Sequence, residues 1–509
     1  MPARRVRTSM PFRAIAASAH RSRVILGIAA AIGLPLIAGC AGLYFEPAEA
    51  PPDPAPRYNL ETLPYREYWT GLVFNGHKIG FTRLQLSAVG DGTFELRSEA
   101  AMHFRFLGID KKVTLKARDR IAGDLTLRDF EYDYDLDGTR LQVTGSRQPG
   151  ALQTTVVSAG QAIDQSHPAA GKIYPASVIA LYPVVHGLEL GREYAYPVYD
   201  GETQSVAEVR QAVVAYERSE LFDGPAFRLK TSLHGQQVDT WIDASGRPVL
   251  EMSLGGVFIA GLEDEAAARR YLTLAALNKS ESLLDFSRVP TTPLIEHPRT
   301  VKRLAVEFRG FGDFEVPSAG WQRCLRSGDL IRCEVEDTGN ATDDGASASH
   351  YLQSTLPVPS RAPEIRSLAR SIGGNLGHDY EQSRAIVDWI QANIEQTAVD
   401  VFSALDVLKG RKAECQGNTY LYAALARSLG IPTRVVNGLV YSEAGPGFLY
   451  HTWAESLISG RWVAVDPTFG QVPADATHLK LVEGETLAEL GPLTRFMGRL
   501  EARVLSVAH

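Results

Sequence analysis

The chain has 509 residues, 45% hydrophobic and 22% charged. That is material for roughly two to four globular domains, each with a core of its own. The net charge of −7 is mild and provides no basic footprint for nucleic acid.

Residues 1–23 carry Arg4, Arg5, Arg7, Arg13, Arg21 and Arg23 and no acid, and residues 24–39 are uncharged and mostly apolar. A basic region followed by a short apolar run reads as a secretion signal over 1–40, because the run is short for a membrane span. Its end, Ile37-Ala38-Gly39-Cys40, resembles a bacterial lipoprotein box. That resemblance implies that Cys40 becomes the first mature residue and carries lipid, several acyl chains giving a firm anchor. Ala41 in place of aspartate implies the inner leaflet of the outer membrane. An uncleaved anchor is the alternative; either way the body lies outside the cytoplasm, in the periplasm. Residues 41–58, with Pro47, Pro51, Pro52, Pro54 and Pro56, read as an extended tether.

Residues 59–290 alternate as strands do. Trp69 to Phe74, Asn75-Gly76, and His77 to Leu84 form a strong hairpin signal. Further strands follow to about Leu254, separated by glycine-containing turns, which predicts a large antiparallel sheet. Lys172 to Val185 reads as a short inserted helix and Glu263 to Leu274 as another. The pattern resembles the half-barrels of bacterial lipoproteins that hold acyl chains; a scaffold or substrate-presenting sheet is the plainer reading.

Residues 291–358 read as a smaller β module. Cys324 and Cys333 flank a turn at Ser327-Gly328-Asp329. A disulfide across that hairpin suits an oxidising compartment, and the alternative is two free thiols. No cysteine spacing matches a metal site, and no cofactor or metal is implied.

From 359 to 485 the pattern turns helical. Ala362 to Ile372 and Tyr380 to Ile394 read as helices, with Trp389 a core residue. Cys415 precedes an apolar run that ends at Gly430 and Pro432, so it lies at a helix N-terminus. The positive end of the helix dipole there would favour thiolate, and Glu414 would oppose it. Phe448 to Ile458 and Arg461 to Val465 form a hairpin about Ser459-Gly460, with His451 and Asp466 toward its open end. Cys415, His451 and Asp466 are thus candidates for nucleophile, base and orienter. Residues 486–509 read as a helical tail.

These residues resemble the transglutaminase-like superfamily of cysteine enzymes. The likeness rests on Cys415 opening a helix, Leu425 through Val436, the strand of His451, Trp453 and Glu455, and Trp462 through Thr468. It implies a papain-type α+β catalytic domain following the β-rich region, with Cys415 as nucleophile, His451 as base and Asp466 as third member. Two departures occur: Ala413-Glu414 stands where Gly-Asp is common, and His451-Thr452-Trp453 replaces His-Ala-Trp. Oxyanion donors would be the Cys415 amide and an upstream side chain, Gln396 or equally Tyr380. The chemistry implied is attack on a peptide or protein amide through a thioester. Hydrolysis is favoured over acyl transfer, and a non-catalytic envelope binding or assembly lipoprotein is the competing class.

Overall fold

The computed structural model describes residues 44–509 apart from 107–108, 159, 202, 272–273, 275–286, 319, 337–347, 398, 400 and 444. The signal segment, its Cys40 and the first residues of the tether lie outside the described residues.

A sheet of sixteen strands fills the first half of the described chain. Apart from the short strands Phe45–Pro47 and Tyr174–Pro175, it is two meanders, residues 67–168 and 193–263, joined where Glu67–Phe74 pairs antiparallel with Phe258–Glu263. The predicted hairpin at Asn75-Gly76 is present. Both turn residues have positive φ, 46° and 79°, the twist that a two-residue loop needs. The sheet curls until Tyr199 near one edge packs against Phe130 toward the other, with ring centroids 4.8 Å apart.

Its inner face is filled by the inserted segment. Val178, Leu181, Val184 and Leu188 lie fully buried against Leu86, Leu96, Phe227 and Ile242. The predicted insertion is therefore a plug, made of a 3-10 turn at Ala176–Val178 and a short helix at Leu181–His186. A cavity of about 530 Å³ remains beside it, walled by Tyr68, Ser177, Asp200, His234 and Glu251 among others. Ile179, Leu233, Val238 and Leu490 share the lining with those polar groups.

Cys324 and Cys333 face each other across the antiparallel pair Gln322–Ser327 and Leu330–Glu336 and are disulfide-bonded. This hairpin belongs to a five-stranded sheet with Thr291–Thr292, Arg303–Arg309 and Glu501–Ala508.

Two boundaries drawn from sequence are corrected here. The tail is not a helix beyond Leu490. Leu487–Leu490 is one helical turn, a 3-10 turn follows at Gly491–Arg495, and Glu501–Ala508 is a strand. Gly491, Pro492 and Gly498 interrupt the helical pattern, and Ala502 and Val504 alternate inward with Glu501 and Arg503 outward. The module over 291–358 is also not separate from the region after it. Phe308, Ile331, Val335, Ala502 and Val504 share one core with Val436, Leu439, Phe448 and Leu479.

The remaining region pairs helices with a four-stranded antiparallel sheet. The helices are α1 (Pro363–Gly373), α2 (Asp379–Asn393), α3 (Ala404–Gly410) and α4 (Cys415–Ser428). The strands are β1 (Thr433–Ser442), β2 (Gly447–Ile458), β3 (Arg461–Val465) and β4 (Leu479–Glu483), in the order β3-β2-β1-β4. The predicted turn at Ser459-Gly460 joins β2 to β3, with φ of 51° and 75°.

Helix α4 packs on α1, α2 and α3 and, on its other side, on β2. It is buried all round from Gly417 to Arg427, so its apolar content is not confined to one face. Its end is closed by two backbone bonds, Gly430 N to Arg427 O and Ile431 N to Ala426 O. Gly430 sits at φ 89°, the left-handed cap that glycine adopts without strain.

Candidate active site

Cys415 is the first residue of α4, after Glu414 in extended conformation, and is part-exposed. It is the free cysteine among the described residues. The turn that carries it is tied to the sheet where the histidine lies. Thr419 Oγ1 donates to the Thr452 carbonyl at 3.0 Å, one helical turn beyond Cys415 and one residue beyond His451. Lower down, the Tyr422 and Ser456 hydroxyls lie 2.9 Å apart.

Two close approaches fix the register of this joint. A Cβ at Gly417 would come within about 3.0 Å of Ala413, Val401 and Val407. At Gly438, the β1 residue paired with His451, a Cβ would fall 2.0 Å from the Leu479 carbonyl. Neither position has room for a side chain.

His451 is 8% exposed and Asp466 is 0% exposed. His451 Nε2 lies 2.8 Å from Asp466 Oδ2. A carboxylate can only accept, so Nε2 carries the proton and Nδ1 is the nitrogen left for the thiol. The Cys415 side chain is near enough to this imidazole to act on its charge. Burial pushes the imidazole toward neutrality. The charge of Asp466, together with charge and hydrogen bonding from Cys415, overcomes that and lifts it to about 9. Phe469 stacks on the ring at 5.0 Å and Trp453 lies parallel at 6.3 Å. Phe469 is 41% exposed, so it forms the outer wall.

Asp466 follows β3 and heads a tight loop. Its Oδ1 accepts from the backbone N–H of Thr468 at 2.7 Å and of Phe469 at 3.0 Å. Its Oδ2 accepts from His451 and, at 2.9 Å, from His478 Nε2. Burial would raise its pKa; the two histidines hold it well below the ordinary carboxylate range instead. The sequence reading did not include His478. No local motif marks it, because its partner Asp466 stands twelve residues earlier, across the loop after β3.

One ligand atom each of His451, Asp466 and His478 lies within 4.8 Å of the others. The carboxylate contacts at 2.8 and 2.9 Å are hydrogen-bond distances. They are shorter than the separation of roughly 3.3 Å between tetrahedral ligands about 2.0 Å from a zinc ion. The trio is a hydrogen-bonded chain, not a ligand set.

The predicted oxyanion residues fare differently. Gln396 pairs with Ala413, two residues before Cys415. Its Oε1 accepts from Asn418 Nδ2 at 2.7 Å, which holds its amide against the first turn of α4. The Tyr380 hydroxyl instead donates to the Val472 carbonyl at 3.0 Å. Trp389 packs against the helical core, as expected.

Beneath the site is a cluster of buried charges. Glu455 on β2 accepts from Arg434 Nε at 2.5 Å, Lys480 Nζ at 2.9 Å and Trp321 Nε1 at 3.1 Å. Glu455, shared with the family motif, joins the two sheets and does not touch the reacting groups.

The profile of the transglutaminase-like superfamily matches residues 366–467. Those residues form a transglutaminase-like domain. Helix α4, His451 and Asp466 lie inside it, whereas Asp475 and His478 follow its last matched residue. The kyphoscoliosis peptidases of Mus musculus and Homo sapiens are 31% and 30% identical to this chain over 120 residues, 20% of the chain. The chain spans 17% of the length of each. Among solved structures, a candidate cysteine protease from Cytophaga hutchinsonii aligns over 41% of this chain and 85% of its own, at 17% identity and a TM-score of 0.27. A β-barrel-like protein of unknown function from Brucella abortus aligns over 39% of this chain and 95% of its own, at 8% identity and a TM-score of 0.31.

Proposed function

We propose that the transglutaminase-like domain is a cysteine enzyme that opens amide bonds through a thioester. The observation that supports this most is the convergence of Cys415, His451 and Asp466, one from a helix, one from a strand and one from the loop after the next strand.

In this reading the Cys415 proton passes to His451 Nδ1 and the sulfur attacks the amide carbonyl carbon. The oxyanion is held by the Cys415 backbone N–H, with the Gln396 amide as the second donor. His451 returns the proton to the leaving nitrogen, the C–N bond breaks and a thioester remains. Water, deprotonated by His451, then attacks the thioester, releasing a carboxylic acid and regenerating the thiol. An amine in place of water would give acyl transfer by the same steps. The matched relatives carry the name peptidase, which favours water. Substrates would be peptides or proteins of the periplasm, reached by an enzyme lipid-anchored through Cys40 to the outer membrane, with residues 41–58 as its tether.

The test is the reactivity of Cys415. Alkylation followed on the Cys415 peptide by mass spectrometry should run on the order of 10²-fold faster than for an ordinary thiol at neutral pH, and His451→Ala should remove that advantage. An Asp466→Ala protein incubated with envelope extract should carry an acyl adduct on Cys415 that names the substrate. Ordinary reactivity, unaffected by His451→Ala and with no adduct, would leave the binding-lipoprotein reading.

A further inference from the structure

We infer that His478 is a positioning residue of this site, an imidazolium that clamps the same Asp466 oxygen that His451 uses. The inference rests on the acyl-enzyme reading of the site.

The geometry fixes the charge by counting donors. His478 Nδ1 lies 2.9 Å from the Asp475 backbone carbonyl, which can only accept. Nε2 lies 2.9 Å from Asp466 Oδ2, which accepts when ionised. Both ring nitrogens therefore carry hydrogen, and the ring is a cation. It is 0% exposed, so its charge must be answered within the protein. Asp466 answers it on one side. On the other, Asp475 Oδ1 is 3.4 Å from Nδ1, and Asp475 Oδ2 is itself paired with Arg299 Nη1 at 3.0 Å. The result is an alternating file: His451, Asp466, His478, Asp475, Arg299. Arg299 closes it on the outside, stacked over Phe469 at 4.2 Å, and Phe469 covers His451. Among the described residues, Asp466 and Asp475 act on His478 directly, with His451, Cys415 and Arg299 beyond them and Glu443 beyond Arg299.

Two consequences follow. With two backbone donors on Oδ1 and two imidazoles on Oδ2, the Asp466 carboxylate has no freedom to rotate away from His451. And because His478 takes up part of the Asp466 charge, His451 feels less than a full anion. Its proton is held firmly enough to be taken from sulfur and loosely enough to be passed to a leaving nitrogen.

The experiment alkylates the full-length protein with iodoacetate, an anion drawn to the imidazolium, and follows the Cys415 peptide by mass spectrometry across pH. The rate should be bell-shaped, its alkaline limb reporting deprotonation of His451. His478→Gln keeps a donor toward Asp466 and removes the charge. It should lower the maximal rate by no more than about tenfold and move the alkaline limb upward by roughly 0.5–1 pH unit, because His451 then faces an unshared carboxylate. His478→Ala removes donor and charge and should cost about 10- to 100-fold in rate.

A residue that merely fills space would lower the rate and leave the limb in place; that outcome overturns the inference while the acyl-enzyme reading stands. If Cys415 in the unaltered protein reacts as an ordinary thiol, that reading falls and this inference falls with it. Nitrogen-15 spectra of histidine-labelled unaltered protein need no variant to fold. His478 should show two protonated ring nitrogens at about pH 7, and a neutral ring would overturn the inference.

Discussion

Asp119 in the curled sheet and Asp466 in the transglutaminase-like domain are equally buried, at 1% and 0% exposure, and burial drives both toward the protonated form. Asp119 is answered only by hydroxyls, Tyr132 Oη and Ser177 Oγ, each at 2.6 Å. Burial therefore prevails and lifts it to about 6. Asp466 is answered by two imidazoles and two backbone N–H groups, and its acidity is strengthened instead. Asp119 staples the plug to the sheet wall. Asp466 supports a base. A buried carboxylate thus says little about function until the charge of its neighbours is known.

The sharpest way to break this comparison is to make the same change at both positions. Asp466→Asn should lower turnover on the order of 10²–10⁴-fold, because an amide favours the wrong tautomer of His451. Asp119→Asn should leave catalysis unchanged and shift the unfolding free energy by less than about 1 kcal/mol at neutral pH.

Next in size is Glu455→Ala. It leaves Arg434 and Lys480 with Glu483 as their remaining carboxylate partner and should cost about 2–3 kcal/mol in urea unfolding. A double change of Glu455→Gln with Lys480→Met should recover part of that loss, and no recovery would mean that the pairing is not what the cluster supplies.

Reducing the Cys324–Cys333 disulfide should cost about 2 kcal/mol, since the loop it closes is short. The loss should show in thermal unfolding of the whole shared core.

The smallest effects are in pH dependence, and the two aspartates should have opposite signs. Asp119 has a raised folded pKa, so its advantage over Asn is present below 3.8 and is lost as pH rises to about 6. Asp466 has a depressed pKa, so its contribution is present above 3.8 and is lost as pH falls. The histidines have raised values. Their stabilisation is complete below 6.5 and is lost as pH rises through about 9. Urea midpoints of each Asp→Asn protein against the unaltered one, taken across pH, would test these signs.

Much of the site was legible because its residues are local signals. A cysteine before an apolar helix, a hairpin at Ser459-Gly460 and an aspartate just after its second strand each announce themselves over a few residues. His478 does not, since its partners are a carbonyl and a carboxylate delivered by the fold of residues 466–478. The strand Glu501–Ala508 was lost for a similar reason. It is short, follows a broken helical pattern, and is specified by pairing with Arg303–Arg309, far away in sequence. The plug over 172–185 was legible as an insertion, but that it fills the sheet depends on the curl, which arises from cumulative twist and not from any single residue.

That pairing has a practical consequence. Residues 359–485 look separable on paper, yet Phe308 packs edge-on against Phe448 at 5.5 Å, and the Gln322 side chain donates to the Lys480 carbonyl and accepts from its amide. A fragment trimmed to residues 359–485 would expose to water the face of its sheet that carries Val436, Leu439, Phe448 and Leu479 and should precipitate. The smallest piece worth expressing begins ahead of Val289 and keeps Glu501–Ala508.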